Sequence, residues 1–259
     1  MDGYEIPIEI PVNSQTIWRY MDFSKYVDLL TTGELHFTRA DRLEDPCDCS
    51  AMQFFGEPYK QLSLAHPEGK ERTCLVNVFE RLFVYLNCWH MNDAESAALW
   101  RLYSENRYET IAIQTTFGKL DSALKLKWPR DGVFISKVKY DPENAGEPLD
   151  GTPGGRLFTA LGWENIIYKR PSFAHERELR AFIYQRVDKL REGLLRDPAH
   201  LERLTKDRCE YIRIQIAPSD LIEKVYVSPL AKEWFVKLVK NVSGELKDRI
   251  LKSDLYDLY

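Results

Sequence analysis

Two glutamates separated by one residue, Glu176 and Glu178 in the string HEREL, form the carboxylate pair whose spacing most invites chemistry. In an extended strand both face the same way, with Arg177 and Leu179 opposite. Two carboxylates about 7 Å apart on one sheet face repel unless a cation, or a ligand acquiring positive charge, neutralises them. In a helix they point apart and make solvated pairs with Arg177, Arg180 or His175. The sequence leaves both arrangements open. Arg19 is the second such residue, set between Trp18 and Tyr20 in an apolar run. A guanidinium there needs an acidic partner or the phosphate of a ligand, and a buried Arg–Glu pair would be enough. Trp89, Trp100 and Tyr103 are the third set. Trp100 and Tyr103 stand three apart and share a helical face, which packs a core or offers a planar ring a stacking platform.

Other chemistry finds less support. No G-x-G-x-x-G, G-x-x-x-x-G-K, H-E-x-x-H or G-x-S-x-G string occurs, which removes the usual dinucleotide, triphosphate, zinc-protease and serine-hydrolase motifs. Cys47-x-Cys49 and Cys88-x-His90 each put two ligands on one face of an extended segment. Structural zinc ordinarily uses C-x2-C spacing, so no metal is expected. The rival metal set would be His90, Glu44, Asp45 and Asp48 in a nucleic-acid-processing enzyme. Five cysteines, odd in number and unevenly spaced, argue for reduced thiols rather than a disulfide framework.

Composition bounds the class. The 259 residues are 44% hydrophobic, 12% aromatic and 29% charged, which excludes low-complexity disorder. A net charge of −4 offers no global field for nucleic acid, although Lys119, Lys125, Lys127, Arg130, Lys137 and Lys139 form local basic clusters. There is no apolar run of bilayer length and no signal-peptide start, so a cytoplasmic protein without a membrane partner is expected.

The elements that must position these residues follow from periodicity. Strands are expected at 16–21, 35–38, 82–90, 108–115, 132–140, near 178, at 209–216 and at 225–227. Helices are expected from Phe23 to a stop at Gly33, after a cap at Asn92-Asp93, around 157–161 and from 234 to 246, with a partly helical stretch at 51–80. The order is irregular, which predicts an α+β fold: one domain over 1–259 with a split, mixed central sheet flanked by helices. Residues 1–15 read as an N-terminal extension, 141–155 as an exposed insertion and 188–208 as a charged helical insertion.

The pieces also have a familiar order. W-R-Y-M, G-E-L-H-F-T and L-E-D-P-C-D, then Cys88-Trp89-His90 with Leu99-Trp100-Arg101-Leu102-Tyr103, then Tyr168-Lys169 and Phe173-x-x-Glu176-x-Glu178-x-Arg180, and lastly SDLIEKVYVSPLAKEW, run along the chain from about Trp18 to Leu255. This order resembles a bacterial domain-of-unknown-function family, number twenty-nine seventy-one. Glu44, Cys47 and His90 depart from that family's pattern. The same order is more faintly similar to ADP-ribosyltransferases, particularly those that modify nucleic acid. That similarity implies NAD as substrate, held by Arg19, Tyr20 and His90, with Trp100 or Tyr103 stacking on nicotinamide. It implies that Glu178 bonds the ribose and steadies its cation while Glu176 handles a nucleic-acid or protein acceptor, in a toxin or phage-defence role. The alternative is a non-catalytic binding module in which Arg19, Glu176 and Arg180 form a buried ion network around core aromatics.

Overall fold

The computed structural model describes residues 8–46, 48–49, 81–103, 106–125, 132–140, 164–185, 203, 206 and 208–257. The expectations for 51–80, 141–155 and 157–161, and nearly all of that for 188–208, fall outside the described residues.

The β-branched and aromatic run TIWRYMD makes the first strand, β1 (Thr16–Asp22), buried on both faces, with Ile17 and Met21 on one and Trp18 and Tyr20 on the other. The helix α1 (Phe23–Thr32) follows and buries Tyr26 and Leu29. It ends where Gly33 turns left-handed at φ 66°, a place where a side chain would also press on Gln215. The second strand, β2 (Glu34–Arg39), leads to a 3-10 turn (Ala40–Arg42). After β3 (Val84–Met91) comes the short α2 (Ala97–Leu102), then β4 (Thr110–Thr116), α3 (Phe117–Lys125), β5 (Val133–Lys137) and α4 (Glu164–Ile167). A 3-10 turn (Pro171–Glu176) precedes β6 (Glu178–Tyr184) and β7 (Tyr211–Gln215). The chain then forms α5 (Pro218–Leu221), β8 (Lys224–Val227), α6 (Glu233–Val242), a 3-10 turn (Gly244–Arg249) and β9 (Ile250–Lys252).

Among the described residues, all nine strands belong to one mixed sheet in which β8 and β9 are parallel and the other pairs antiparallel. The fold is therefore α+β, as the irregular order of elements implies. The strand at which the sheet branches is β3. One edge of β3 pairs with β6 along its whole length, from Val84↔Tyr184 to His90↔Glu178. The other edge is shared: β2 takes the first half (Arg39↔Tyr85, Thr38↔Leu86) and β1 the last (Trp18↔His90, Ile17↔Met91). Beyond these points β1 continues on β4 and β2 on β7, so the sheet is split between β1 and β2. Asn87 lies at the divergence, fully buried. Its amide donates to the His36 carbonyl at 2.8 Å and accepts from Trp89 Nε1 at 2.6 Å.

The largest core covers one face of this sheet, where Ile17, Met21, Ile113 and Leu179 meet α1, α3 and α6. The opposite face carries two smaller clusters, Trp18, Tyr20, Leu99, Trp100 and Ala112 in one, and Leu86, Phe182, Ile166 and Ile167 in the other. Three details differ from expectation. The cap of α2 is Ser96, whose hydroxyl accepts from Leu99 N–H, because Asn92 is used elsewhere: its carbonyl takes Trp18 Nε1 and its side chain takes Arg177. The last helix stops at Val242, where Gly244 at φ 53° breaks it into a 3-10 turn. The edge strand β9, only three residues long, has too little pattern to show in the sequence.

Candidate functional site

The row Trp18–His90–Glu178 crosses three neighbouring strands beside the split. Glu178 opens β6, but Glu176 is on neither a strand nor a helix: it ends the 3-10 turn begun by Pro171. Between them Arg177 adopts the left-handed region at φ 41°, a conformation that costs a side-chain-bearing residue about 1–2 kcal/mol. Glu178 thus opens the expected strand, whereas Glu176 belongs to neither a strand nor an α-helix. The corner at Arg177 redirects the chain so that both carboxylates reach one ammonium, that of Lys169.

Lys169 Nζ lies 2.6 Å from Glu176 Oε2 and 3.5 Å from both Glu178 Oε2 and Asp48 Oδ2, and 4.7 Å from the centre of the Phe173 ring. Arg180, fully buried, grips Glu178 with two bonds (2.7 and 2.9 Å) and Asp48 with two more (3.0 and 3.1 Å). Its Nη1 also donates to the Ile166 carbonyl and touches the Cys49 sulfur. Three carboxylates and two cations thus share a buried pocket with a net charge of −1.

The electrostatics separate the two glutamates. Glu178 is held down at about 2 in spite of its burial, because Arg180 and Lys169 both favour the charged form and Cys88 adds a hydrogen bond. Glu176 is raised: its burial and the repulsion of Glu178 outweigh Lys169, whose charge three carboxylates divide. Lys169 itself is pushed up by Glu178, Asp48 and Glu176, which together overcome its burial. The Cys88 thiol is raised well above its ordinary value, by burial first and Glu178 second.

His90 Nδ1 lies 2.5 Å from the Glu176 carbonyl and donates to it, because a carbonyl can only accept, so Nδ1 carries the proton. Burial lowers its pKa, and its Nε2 is enclosed without a partner. Tyr103 is 46% exposed; burial of its hydroxyl and the nearby charges of Glu176 and Glu178 raise its pKa. Tyr140 accepts the Glu178 N–H at 2.8 Å.

Arg19 does not join this network. It shares the side of Ile17 and Met21, its guanidinium carbon is 5.9 Å from the centre of the Trp89 ring, and Nη1 is enclosed with no hydrogen-bond partner. Burial lowers its pKa, and the nearest groups to oppose this are Cys88 and Tyr103. Trp18 and Glu178 are two strand spacings apart, about 10 Å. Arg19 stands at the split on the face of β1 opposite Trp18, and Glu178 lies across β3 from it; Cys88 and Tyr103 are within electrostatic reach of both. Tyr20 and Trp100 lie in the small core cluster. Tyr20 accepts the Ser96 N–H, and Trp100, 4% exposed, meets Tyr20 edge-on and donates to Glu95. Trp100 therefore shows no open ring face.

Lys169 and Tyr140 were not singled out by residue type or spacing. The signal for Lys169 was local: Pro171 starts a tight turn that folds the chain back within seven residues. Among the described residues no group of three His, Cys, Asp or Glu is placed to hold a metal ion. Of the rival metal set, Asp45 holds Arg170 and Asp48 holds Arg180. No described helix is long and apolar enough to cross a membrane.

No protein-family model matches the chain, so the resemblance to the domain-of-unknown-function family gains no support. No curated protein matches it either. Among solved structures, DarT of Thermus sp. 2.9 in complex with NAD+ aligns over 94% of this chain and 96% of its own, at 10% identity and a TM-score of 0.40. At that level the likeness adds nothing to what the site geometry says.

Proposed function

We propose that the protein cleaves the nicotinamide–ribose bond of NAD and passes ADP-ribose to an acceptor, nucleic acid or protein. The observation that carries this reading is that a fixed carboxylate pair and Arg19, whose Nη1 is enclosed without a hydrogen-bond partner among the described residues, share Tyr103 as a close electrostatic neighbour. A buried cation without a counter-charge is costly, and an anionic ligand such as a diphosphate would relieve it. As the glycosidic bond breaks, its electron pair goes to nicotinamide and positive charge grows on the ribose. A carboxylate already fixed in a water-poor site stabilises that charge more than the neutral ground-state sugar. The exposed ring of Tyr103 beside the carboxylates suits a planar base. A toxin or phage-defence role belongs to the same reading and depends on the acceptor.

A second reading has its own observation in favour. The Lys169, Arg180, Asp48 and Glu178 charges satisfy one another, as in a binding module held together by ions. Nicotinamide release from NAD by the purified protein, with and without cell lysate, separates the two. Release that depends on Arg19 and on the carboxylates supports the transferase. A protein that neither binds NAD nor releases nicotinamide is the binding module.

A further inference from the structure

We infer that Glu176, rather than Glu178, is the carboxylate presented to the ligand, and that Glu178 is a positioning residue acting through Lys169 and Arg180. This inference rests on the NAD reading for the identity of the ligand only.

A carboxylate has about four acceptor positions on its two oxygens. Glu178 spends them inside the protein. Oε1 takes Arg180 Nε, Oε2 takes Arg180 Nη2 and faces Lys169, and the Cys88 thiol adds a further bond. A sugar hydroxyl could bond Glu178 only by displacing a guanidinium that Asp48 and the Ile166 carbonyl also hold. Glu176 is the opposite case. Its Oε2 takes Lys169, and its Oε1 has no partner among the described residues.

Position agrees with valence. Glu176 ends a turn, is 9% exposed against 4% for Glu178, and lies near the exposed Tyr103, which feels its charge more strongly than that of Glu178. Its backbone is fixed from two sides, by His90 Nδ1 on its carbonyl and by the left-handed Arg177, whose own carbonyl takes the Met91 N–H. A carboxylate with one open oxygen, a fixed backbone and a single ammonium contact can accept a ribose hydroxyl and face the growing cation without breaking the network. In the bond cleavage Glu176 stays ionised throughout and forms no covalent bond; the leaving electron pair neutralises the nicotinamide ring. Glu178 keeps Lys169 from collapsing fully onto Glu176.

The groups that set the ionisation of Glu176 are Lys169, Glu178, Arg180, Tyr103, Tyr140 and the His90 on its carbonyl. Removing the Glu178 charge frees Lys169 for Glu176 and removes a repulsion, so the acid limb of kcat moves to lower pH in E178Q. A merely structural Glu178 would leave that limb in place.

The experiment compares wild type, E176Q and E178Q for nicotinamide release across pH and for Tm. E176Q should lose about 100-fold or more in kcat with Tm within a few degrees of wild type. E178Q should melt markedly lower and, at temperatures where it is folded, show the shifted acid limb. An E176Q that keeps release while E178Q abolishes it at unchanged Tm overturns the inference. Where wild type releases nothing, the NAD reading fails by itself, and carbodiimide-driven amidation read by mass spectrometry decides the remainder. Modification of Glu176 ahead of Glu178 upholds the division, and equal or reversed labelling overturns it.

Discussion

Taking the charge from Glu178 leaves Arg180 buried with half of its counter-charge, and a buried cation robbed of its partner costs about 3–5 kcal/mol. E178Q is therefore expected to unfold at lower urea at pH 7, by about that amount. The pH dependence has a definite sign. Glu178 lies at about 2 in the fold against an ordinary 4.5, so its contribution is complete above 4.5 and is lost as the pH falls toward 2. The difference corresponds to about 3 kcal/mol, and urea curves of wild type and E178Q should converge over that interval. Glu176 has the reverse sign: its raised pKa makes ionisation unfavourable to the fold, so its contribution weakens as the pH climbs through 4.5. E176Q should accordingly cost little at pH 7. Arg180 offers a further check. Its planar fork serves Glu178 and Asp48 with two bonds each, which one lysine ammonium cannot do. R180K should lose about 3 kcal/mol or more in denaturant titration despite keeping the charge.

Element positions were legible wherever alternation or a stop signal was strong. TIWRYM, LFVYLNCWH and CEYIRIQI gave β1, β3 and β7 within two residues, and Gly33 closed α1. The carboxylates illustrate the opposite case. A two-residue spacing could be weighed only as strand or helix, whereas the structure uses a 3-10 turn and a left-handed corner, and backbone conformation at an arginine is not written in residue type. Lys169 escaped notice for a related reason: its partners are set by tertiary folding, not by spacing. Asn87 shows what an element-level junction requires. Where β3 exchanges β2 for β1, the His36 carbonyl lies beyond the last β2–β3 pair, and the Asn87 amide serves both it and the buried Trp89 indole N–H. N87L would leave both polar groups unpaired in the interior, at about 1–3 kcal/mol each. Urea unfolding should show a loss of about 2–5 kcal/mol, and hydrogen exchange should quicken first at the facing ends of β1 and β2.

Over the whole molecule a split sheet raises the question of whether its two halves hold together independently of the split. The main core answers it, since Ile17 and Ile113 from one half and Phe37, Tyr85 and Leu179 from the other belong to one cluster. Unfolding followed by tryptophan fluorescence and by far-ultraviolet circular dichroism should therefore coincide. The split has no comparable stabilising purpose, and Arg19 makes this plain. It places a guanidinium, its Nη1 enclosed without a hydrogen-bond partner among the described residues, against Trp89, on the face otherwise occupied by Ile17 and Met21. Burial lowers its pKa, so the fold is weakened by carrying the charge there. Methionine would keep the stem against Trp89 and discard the charge, and R19M is expected to gain about 1–2 kcal/mol, seen as a higher Tm. If the guanidinium serves an anionic ligand, the same variant should lose NAD binding by calorimetry while becoming the more stable protein. Gain in one and loss in the other is the signature of a residue kept for a ligand. A loss of stability in R19M would assign Arg19 to the architecture of the split and remove the main support for a nucleotide there.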